Sequence, residues 1–237
     1  MESVYRPVGV ALGALQALVD VALPPHCASC GAAGELICGT CRALMQRADG
    51  KRCRHCWLTS ESPVCRDCLS RPLPLRELRS GFVYDGPARA AVLALKHRGI
   101  KDLARALVEL GGEIQPATDI DMIVPIPIPL LRKRRRGGNQ AEHLARFVAE
   151  RTGLSMETRA LRRRGWWGPK QAQARSRADR RRIVTNAFAA DESLVKGRGV
   201  LLVDDVSTTT ATLSEAARTL LAAGAAAVDA WTAARAD

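Results

Sequence analysis

The sequence predicts an α/β domain, a mostly parallel sheet with helices on both faces, preceded by a small metal-stabilised module. Two observations carry this. All eight cysteines fall between Cys27 and Cys68 as four C-x-x-C pairs. After them, apolar runs of strand length alternate with stretches of helical periodicity, the pattern of strand–helix units. A third observation locates the chemistry: the apolar run Val200–Val203 ends in Asp204-Asp205 and a hydroxyl-rich loop.

Residues 1–25 read as an N-terminal amphipathic helix. Val8–Leu23 comes nearest to a membrane span, but Gln16 and Asp20 interrupt it, and it falls short of the roughly 20 apolar residues a span needs. Glu2 and Arg6 precede it and Pro24-Pro25 follow, without the pattern of a signal-peptide cleavage site. The expectation is a cytoplasmic protein with no membrane contact.

Residues 26–70 read as a double zinc ribbon. The pairs are Cys27/Cys30, Cys38/Cys41, Cys53/Cys56 and Cys65/Cys68. A two-residue gap lets both thiolates reach one ion at about 2.3 Å, and two such knuckles complete a tetrahedral site. Four knuckles imply two structural Zn²⁺ ions. Pairing is either sequential or interleaved; the similar gaps between knuckles, seven and eight residues, look like two repeats of one ribbon and favour sequential pairing. A closed four-cysteine site leaves no open position for chemistry, so His26 and His55 read as bystanders. The metal stands in for a core that so short a segment does not build alone.

Pro72 and Pro74 mark a linker, and residues 78–237 carry the α/β pattern. Gly81–Tyr84 reads as a strand, followed by helical periodicity over Ala88–Leu95 and Leu103–Leu110. Asp121–Pro125 reads as a buried strand ending in a proline-rich turn. Asn139–Thr152 is helical, with Leu144, Phe147 and Val148 on one face. Gly199–Val203 is a second buried strand, Thr212–Ala223 its helix, and Ala225–Trp231 closes the domain.

Val200–Val203 is apolar throughout, as suits a central strand covered on both sides. In open α/β sheets ligands bind beyond the carboxyl ends of strands, where a following helix offers free N–H groups to a phosphate. Asp204 and Asp205 suit a ribose diol or hydrated Mg²⁺. Ser207, Thr208, Thr209, Thr210, Ala211 and Thr212 then form a loop for a 5′-phosphate. The charge agrees. The chain carries +12, and residues 130–182 alone hold seventeen Lys and Arg against four acids, which predicts a polyanionic partner. That partner is either a phosphorylated small molecule or a nucleic acid. Lys96, Arg132, Arg136, Arg164 and Lys170 are the candidate phosphate contacts. Trp166 and Trp167 among these cations suit stacking on single-stranded DNA. No Walker-type loop, HExxH pattern or nucleophile–histidine–acid arrangement is present.

Val203-Asp204-Asp205-Val206-Ser207-Thr208-Thr209-Thr210-Ala211-Thr212 resembles the loop by which type I phosphoribosyltransferases bind phosphoribosyl pyrophosphate (PRPP). With the cysteine-rich start, Leu95-Lys96-His97-Arg98-Gly99, Val124-Pro125-Ile126-Pro127 and Arg136-Gly137-Gly138-Asn139-Gln140, the chain resembles the ComF family of competence-associated proteins. The resemblance implies the type I phosphoribosyltransferase fold, with Asp204 and Asp205 on the ribose hydroxyls and on PRPP-borne Mg²⁺. It implies Thr208, Thr209 and Thr212 on the 5′-phosphate, and Pro125–Leu130 on the pyrophosphate side. Leu161–Arg182 would be a hood that closes over the ligand. Pentosyl transfer is the implied chemistry; a non-catalytic protein binding single-stranded DNA or a helicase-type partner is the alternative. The family's loop glycine is here Thr210, a β-branched residue poorly suited to the positive φ such loops adopt.

Overall fold

The computed structural model describes residues 24–97, 100–164 and 186–236. The expected N-terminal helix therefore lies outside the described residues, apart from Pro24 and Pro25.

Two small lobes come first, and they repeat one plan. Each places four cysteine Sγ atoms within 4.8 Å of one another: Cys27, Cys30, Cys38 and Cys41 in the first, Cys53, Cys56, Cys65 and Cys68 in the second. Pairing is thus sequential. In each lobe the amide of the third cysteine points at the Sγ of the first, Cys38 to Cys27 at 3.5 Å and Cys65 to Cys53 at 3.3 Å. Such N–H groups steady a thiolate, so the donor set fits a metal-bound state. One-turn helices follow the third cysteines: α1 (Gly39–Ala43) and α2 (Arg66–Ser70).

The repeat exposes one irregularity. After the first knuckle of lobe 1 the chain turns through Gly31 at φ +79°, and the same position in lobe 2 is Trp57 at φ 59°. A large side chain in the left-handed region is strained. Trp57 is buried, donates from Nε1 to the Ala48 carbonyl at 3.0 Å and lies under the Arg79 guanidinium, 4.4 Å from its ring centre. These contacts offset the strain and fasten lobe 2 to the sheet.

The sheet has five parallel strands in the order β1-β7-β6-β2-β3: β1 (Leu78–Val83), β2 (Met122–Pro125), β3 (Ser155–Met156), β6 (Gly199–Ser207) and β7 (Ala227–Arg235). A separate antiparallel pair joins β4 (Leu161–Arg163) to β5 (Phe188–Ala190). The other helices are α3 (Gly86–His97), α4 (Asp102–Leu110), α5 (Leu130–Arg136), α6 (Gln140–Thr152), the single turn α7 (Glu192–Val195) and α8 (Ala211–Ala222). On one face of the sheet Val92, Leu95, Leu107 and Leu144 of α3, α4 and α6 bury Leu201 and Val203. On the other, Leu213, Ala217 and Leu220 of α8 join Phe188, Val200 and Leu202. Both faces of β6 are therefore apolar, as its unbroken Val-Leu-Leu-Val run requires.

Lobe 1 is not a separate body. Cys27, Ile37, Cys41 and Met45 belong to the same buried cluster as Phe82, Leu95 and Leu107. Lobe 2 keeps a small cluster of its own around Cys53, Cys56 and Cys68. At the edge of the fold away from the acid pair, Arg76 clamps Asp229 of β7 at 2.7 Å and Asp119, just before β2, at 2.6 Å.

Candidate functional site

Strand β6 runs farther than its apolar run indicates. It continues through Asp204 and Asp205 to Ser207, paired with β7 from Gly199↔Ala227 to Ser207↔Arg235. The two acids therefore sit in a strand, and neighbouring residues of a strand leave on opposite sides. Asp205 pairs with Lys96 at the end of α3, Oδ1 to Nζ 2.8 Å, and both side chains are largely buried. Lys96 is thus already committed to an acid. Burial alone would discharge it, but the Asp205 charge overrides this and holds the ammonium above its usual range.

Asp204 takes the strain of this arrangement. Its carboxyl is pushed up to about 7, first by enclosure among protein atoms and then by the Asp205 charge beside it. The Asp205 N–H, donating to Oδ1 at 2.8 Å, and the positive charges of Lys96 and Arg163 hold it from going higher. A carboxyl poised at neutral pH beside an ionised partner is the arrangement found where a group must change charge on binding.

Cations converge on this pair from other elements. Arg136, last residue of α5, is half-buried and feels both acids; burial and its neighbours Arg132 and Arg135 lower its pKa. Its Nη1 reaches Gln140 at 3.3 Å, while its buried Nε has no hydrogen-bond partner. Arg163 of β4 lies over the Phe188 ring at 5.3 Å and is opposed to Asp204 across the site. Arg164, the next residue, is exposed.

The loop beyond β2 is held by the Gly-Gly-Asn-Gln segment. Gly137, at φ 69°, ends α5 in the left-handed conformation. Asn139 is buried. Its Oδ1 caps α6 by accepting from the Ala141 amide at 3.2 Å, and its Nδ2 donates to the Ile126 carbonyl at 3.0 Å. One side chain thus fixes both the start of α6 and the turn that follows β2.

After Ser207 the chain bends through Thr208 and Thr209 into α8, with Thr210 at the N-cap. Thr210 stands at φ 57°, ψ 0°, in the left-handed region. Threonine therefore keeps the backbone conformation for which glycine is suited, at a conformational cost of roughly 1–2 kcal/mol. Its hydroxyl donates to the Thr209 carbonyl at 2.6 Å and provides no side-chain cap for α8, so first-turn amides remain oriented toward an anion. Thr210→Gly should raise thermal stability by about 1 kcal/mol, seen as roughly 2–4 °C in the melting midpoint; an unchanged or lower midpoint would mean the threonine is unstrained there.

The cluster of acids, cations and helix N-terminus lies at the carboxyl ends of β6 and β2, where open α/β sheets bind ligands. Comparison with known proteins gives the family. A model of the phosphoribosyl transferase domain matches residues 89–236, and one of the double zinc ribbon domain matches residues 18–71. The DNA utilization protein YhgH of Salmonella typhimurium is 34% identical over 206 residues, 82% of this chain and 88% of that protein. The competence protein ComFC of Bacillus subtilis is 28% identical over 204 residues, 81% of each chain.

This chain belongs to the ComF family of phosphoribosyl transferase domain proteins.

The YhgH of Escherichia coli K12, another relative of this ComF-family chain, is 32% identical over 205 residues, with 82% of this chain and 88% of that protein aligned. Among solved structures, a glutamine PRPP amidotransferase of B. subtilis aligns with 58% of this chain and 26% of its own, at 23% identity and a TM-score of 0.38.

In this ComF-family chain the double ribbon supplies two sites for structural zinc, and the eight expected ligands are assembled as two sets of four. Asp204, Asp205, Lys96 and Arg136 come together as one cluster, with Arg132 within electrostatic reach of Arg136 and Arg163. Ser207 and Thr210 are buried, Thr209, Ala211 and Thr212 half-buried, and Thr208 exposed. Arg164 stands outside the cluster. Lys170, Trp166, Trp167 and most of the expected hood lie outside the described residues. Sequence reasoning placed Arg163 only within the expected hood and Asn139 only at the start of a helix, and it missed Arg235. The run Arg162-Arg163-Arg164 holds a clue to the first: on a strand, only its middle member can face the side opposite the other two.

Proposed function

We propose that this protein binds PRPP with Mg²⁺ at the end of β6 and that the site is arranged for pentosyl transfer. The observation that carries this is the convergence of Lys96, Arg136 and Arg163 on Asp204 and Asp205 directly before a helix N-terminus. Asp204 would accept from one ribose hydroxyl and Asp205, while keeping Lys96, from the other. The Thr208–Thr212 amides would hold the 5′-phosphate. Pyrophosphate would lie over the Pro125–Leu130 turn, within reach of Arg136 and its unpartnered Nε. Mg²⁺ carried by the ligand would offset part of the pyrophosphate charge as the bond from the anomeric carbon breaks. The arginines of α5 and β4 would neutralise the rest, and an acceptor would then take the anomeric carbon.

Calorimetric titration of Mg²⁺-PRPP into the zinc-loaded protein tests the reading. The expected result is saturable binding that Arg136→Ala weakens by about tenfold, the scale of one charge-assisted hydrogen bond. No heat and no thermal shift at millimolar ligand would overturn it.

A second reading, engagement of single-stranded DNA, rests on the exposed cations of α5. Arg134 and Arg135 of α5 are exposed, and the relatives are named for competence and DNA utilization. Charge reversal of Arg132, Arg134 and Arg135 should then lower the slope of log affinity against log salt by about two to three. An unchanged slope would place DNA contacts elsewhere. Among the described residues no helix is long and apolar enough to cross a membrane.

A further inference from the structure

The second zinc lobe and the loop proposed to hold phosphate face each other across a cleft of about 510 Å³, with Leu58, Leu73 and Pro74 on one wall and Thr208–Ala211 on the other. What joins them is Arg235, the last residue of β7, which lines that cleft and is 2% exposed. Its Nε donates to the carbonyl of Cys56 at 2.6 Å, and its Nη1 donates to the carbonyls of Ser207 at 2.9 Å and Thr208 at 2.5 Å. Cys56 is one of the four cysteines of lobe 2. A guanidinium is a rigid, planar fork of donors, so one plane ties the Cys56 backbone to Ser207, which the Ala236 amide also holds at 3.0 Å, and to Thr208, the first residue past the strand.

We infer that Arg235 is a positioning residue that makes the metal-bound state of lobe 2, but not of lobe 1, a condition for the ordered phosphate loop. Lobe 1 merges with the hydrophobic core through Ile37 and Met45, so its loss weakens the whole fold. The cysteines of lobe 2 have a small cluster of their own, while Trp57 of the same lobe shares a buried cluster with Val200 and Leu202; opening the ligand set frees Cys56. When it moves, the carbonyl that Nε holds moves with it, and the fork that holds Ser207 and Thr208 loses its orientation. Thr210 makes the loop susceptible, because its left-handed conformation is strained and relaxes once the residues before it are released. The consequence for ligands rests on the PRPP reading above; the coupling between lobe and loop does not.

The test compares three full-length, zinc-supplied variants: Cys53→Ala/Cys56→Ala, Cys27→Ala/Cys30→Ala and Arg235→Lys. Amide hydrogen exchange is followed at Ser207–Thr212, with Val200–Val203 of the same strand as an internal reference. Lobe-2 loss and Arg235→Lys should each speed exchange at Ser207–Thr212 by about tenfold or more beyond any change at Val200–Val203, the mark of local opening. Lobe-1 loss should move both segments together. The inference is overturned if loop exchange in the lobe-2 variant equals that of the wild type, or if the two lobes act alike. Titration of the same variants with Mg²⁺-PRPP should show about tenfold weaker binding for lobe-2 loss and Arg235→Lys. A wild type that binds no PRPP would remove the functional reading, and the exchange data would still decide the coupling.

Discussion

Asp204→Asn should melt higher than the wild type at pH 8 and lose Mg²⁺-PRPP binding by about a hundredfold. Both effects come from one carboxyl. Enclosure and the adjacent Asp205 charge push Asp204 up to about 7, against an unfolded value near 3.9. A carboxyl raised on folding favours the folded state fully below its unfolded pKa, and that contribution is lost as pH rises through the folded value. At pH 8 the free protein therefore carries an ionised Asp204 at a cost on the order of 4 kcal/mol, which asparagine removes. On the proposed reading the same ionised carboxylate accepts a ribose hydroxyl, and a charge-assisted hydrogen bond lost in an enclosed site costs about 3 kcal/mol. Binding by the wild type should accordingly strengthen by roughly tenfold from pH 6 to pH 8. The variant isolates that part from the titration of the ligand's own phosphates. A lower melting point for Asp204→Asn at pH 8 would show that the carboxylate is not strained, and undiminished affinity would place the ribose elsewhere.

Stripping the metal should have the largest effect on the fold. Each zinc-supplied chain is expected to hold two zinc ions, and a strong chelator should lower the melting midpoint by well over 10 °C. Apparent zinc affinities for such sites amount to about 10–16 kcal/mol, and each kcal/mol of stability shifts a domain of this size by roughly 2–4 °C. The effect reaches beyond the ribbon because Cys27, Cys41 and Met45 share a buried cluster with Phe82 and Leu107. The loss should therefore appear in far-ultraviolet circular dichroism of the helices as well as in the cysteine-rich segment. Less than one zinc per chain, or a fold indifferent to chelation, would contradict the assignment of both four-cysteine sets.

The cysteine spacing made the ribbon legible, because metal ligation imposes a fixed local geometry that a C-x-x-C pair displays directly. The order of strands and helices was legible for a related reason: β6 is buried on both faces, and Val200–Val203 is apolar throughout. What the sequence hid is decided by contacts between distant segments. Apolarity marks Val203 as the strand end, yet pairing with β7 carries the strand through both acids to Ser207. Lys96 looks like a free cation until α3 delivers it to Asp205. Thr210 breaks the glycine pattern of its loop, but local preference is a weak term, and the surrounding fold holds the left-handed turn regardless. Arg235 gave only a faint signal, a single charge closing the alanine-rich end of a strand, since the partners that tie it to lobe 2 and the loop are 27 to 179 residues away.

The middle of the sheet is made last. β7 lies between β1 and β6, hydrogen-bonded to both, so during synthesis β6 can pair only with β2 and β1 has no strand neighbour until residues 227–235 have left the ribosome. β1 waits as an unpaired edge for about the time needed to add 150 residues, on the order of ten seconds at usual elongation rates. A bare edge of that kind invites pairing with other chains. The cysteine-rich lobes precede it and can take up metal early, and Arg47 of the segment between them already bridges to Phe82 of β1. Zinc supply during translation would then govern the yield of folded protein as well as its final stability, by shielding an unfinished sheet.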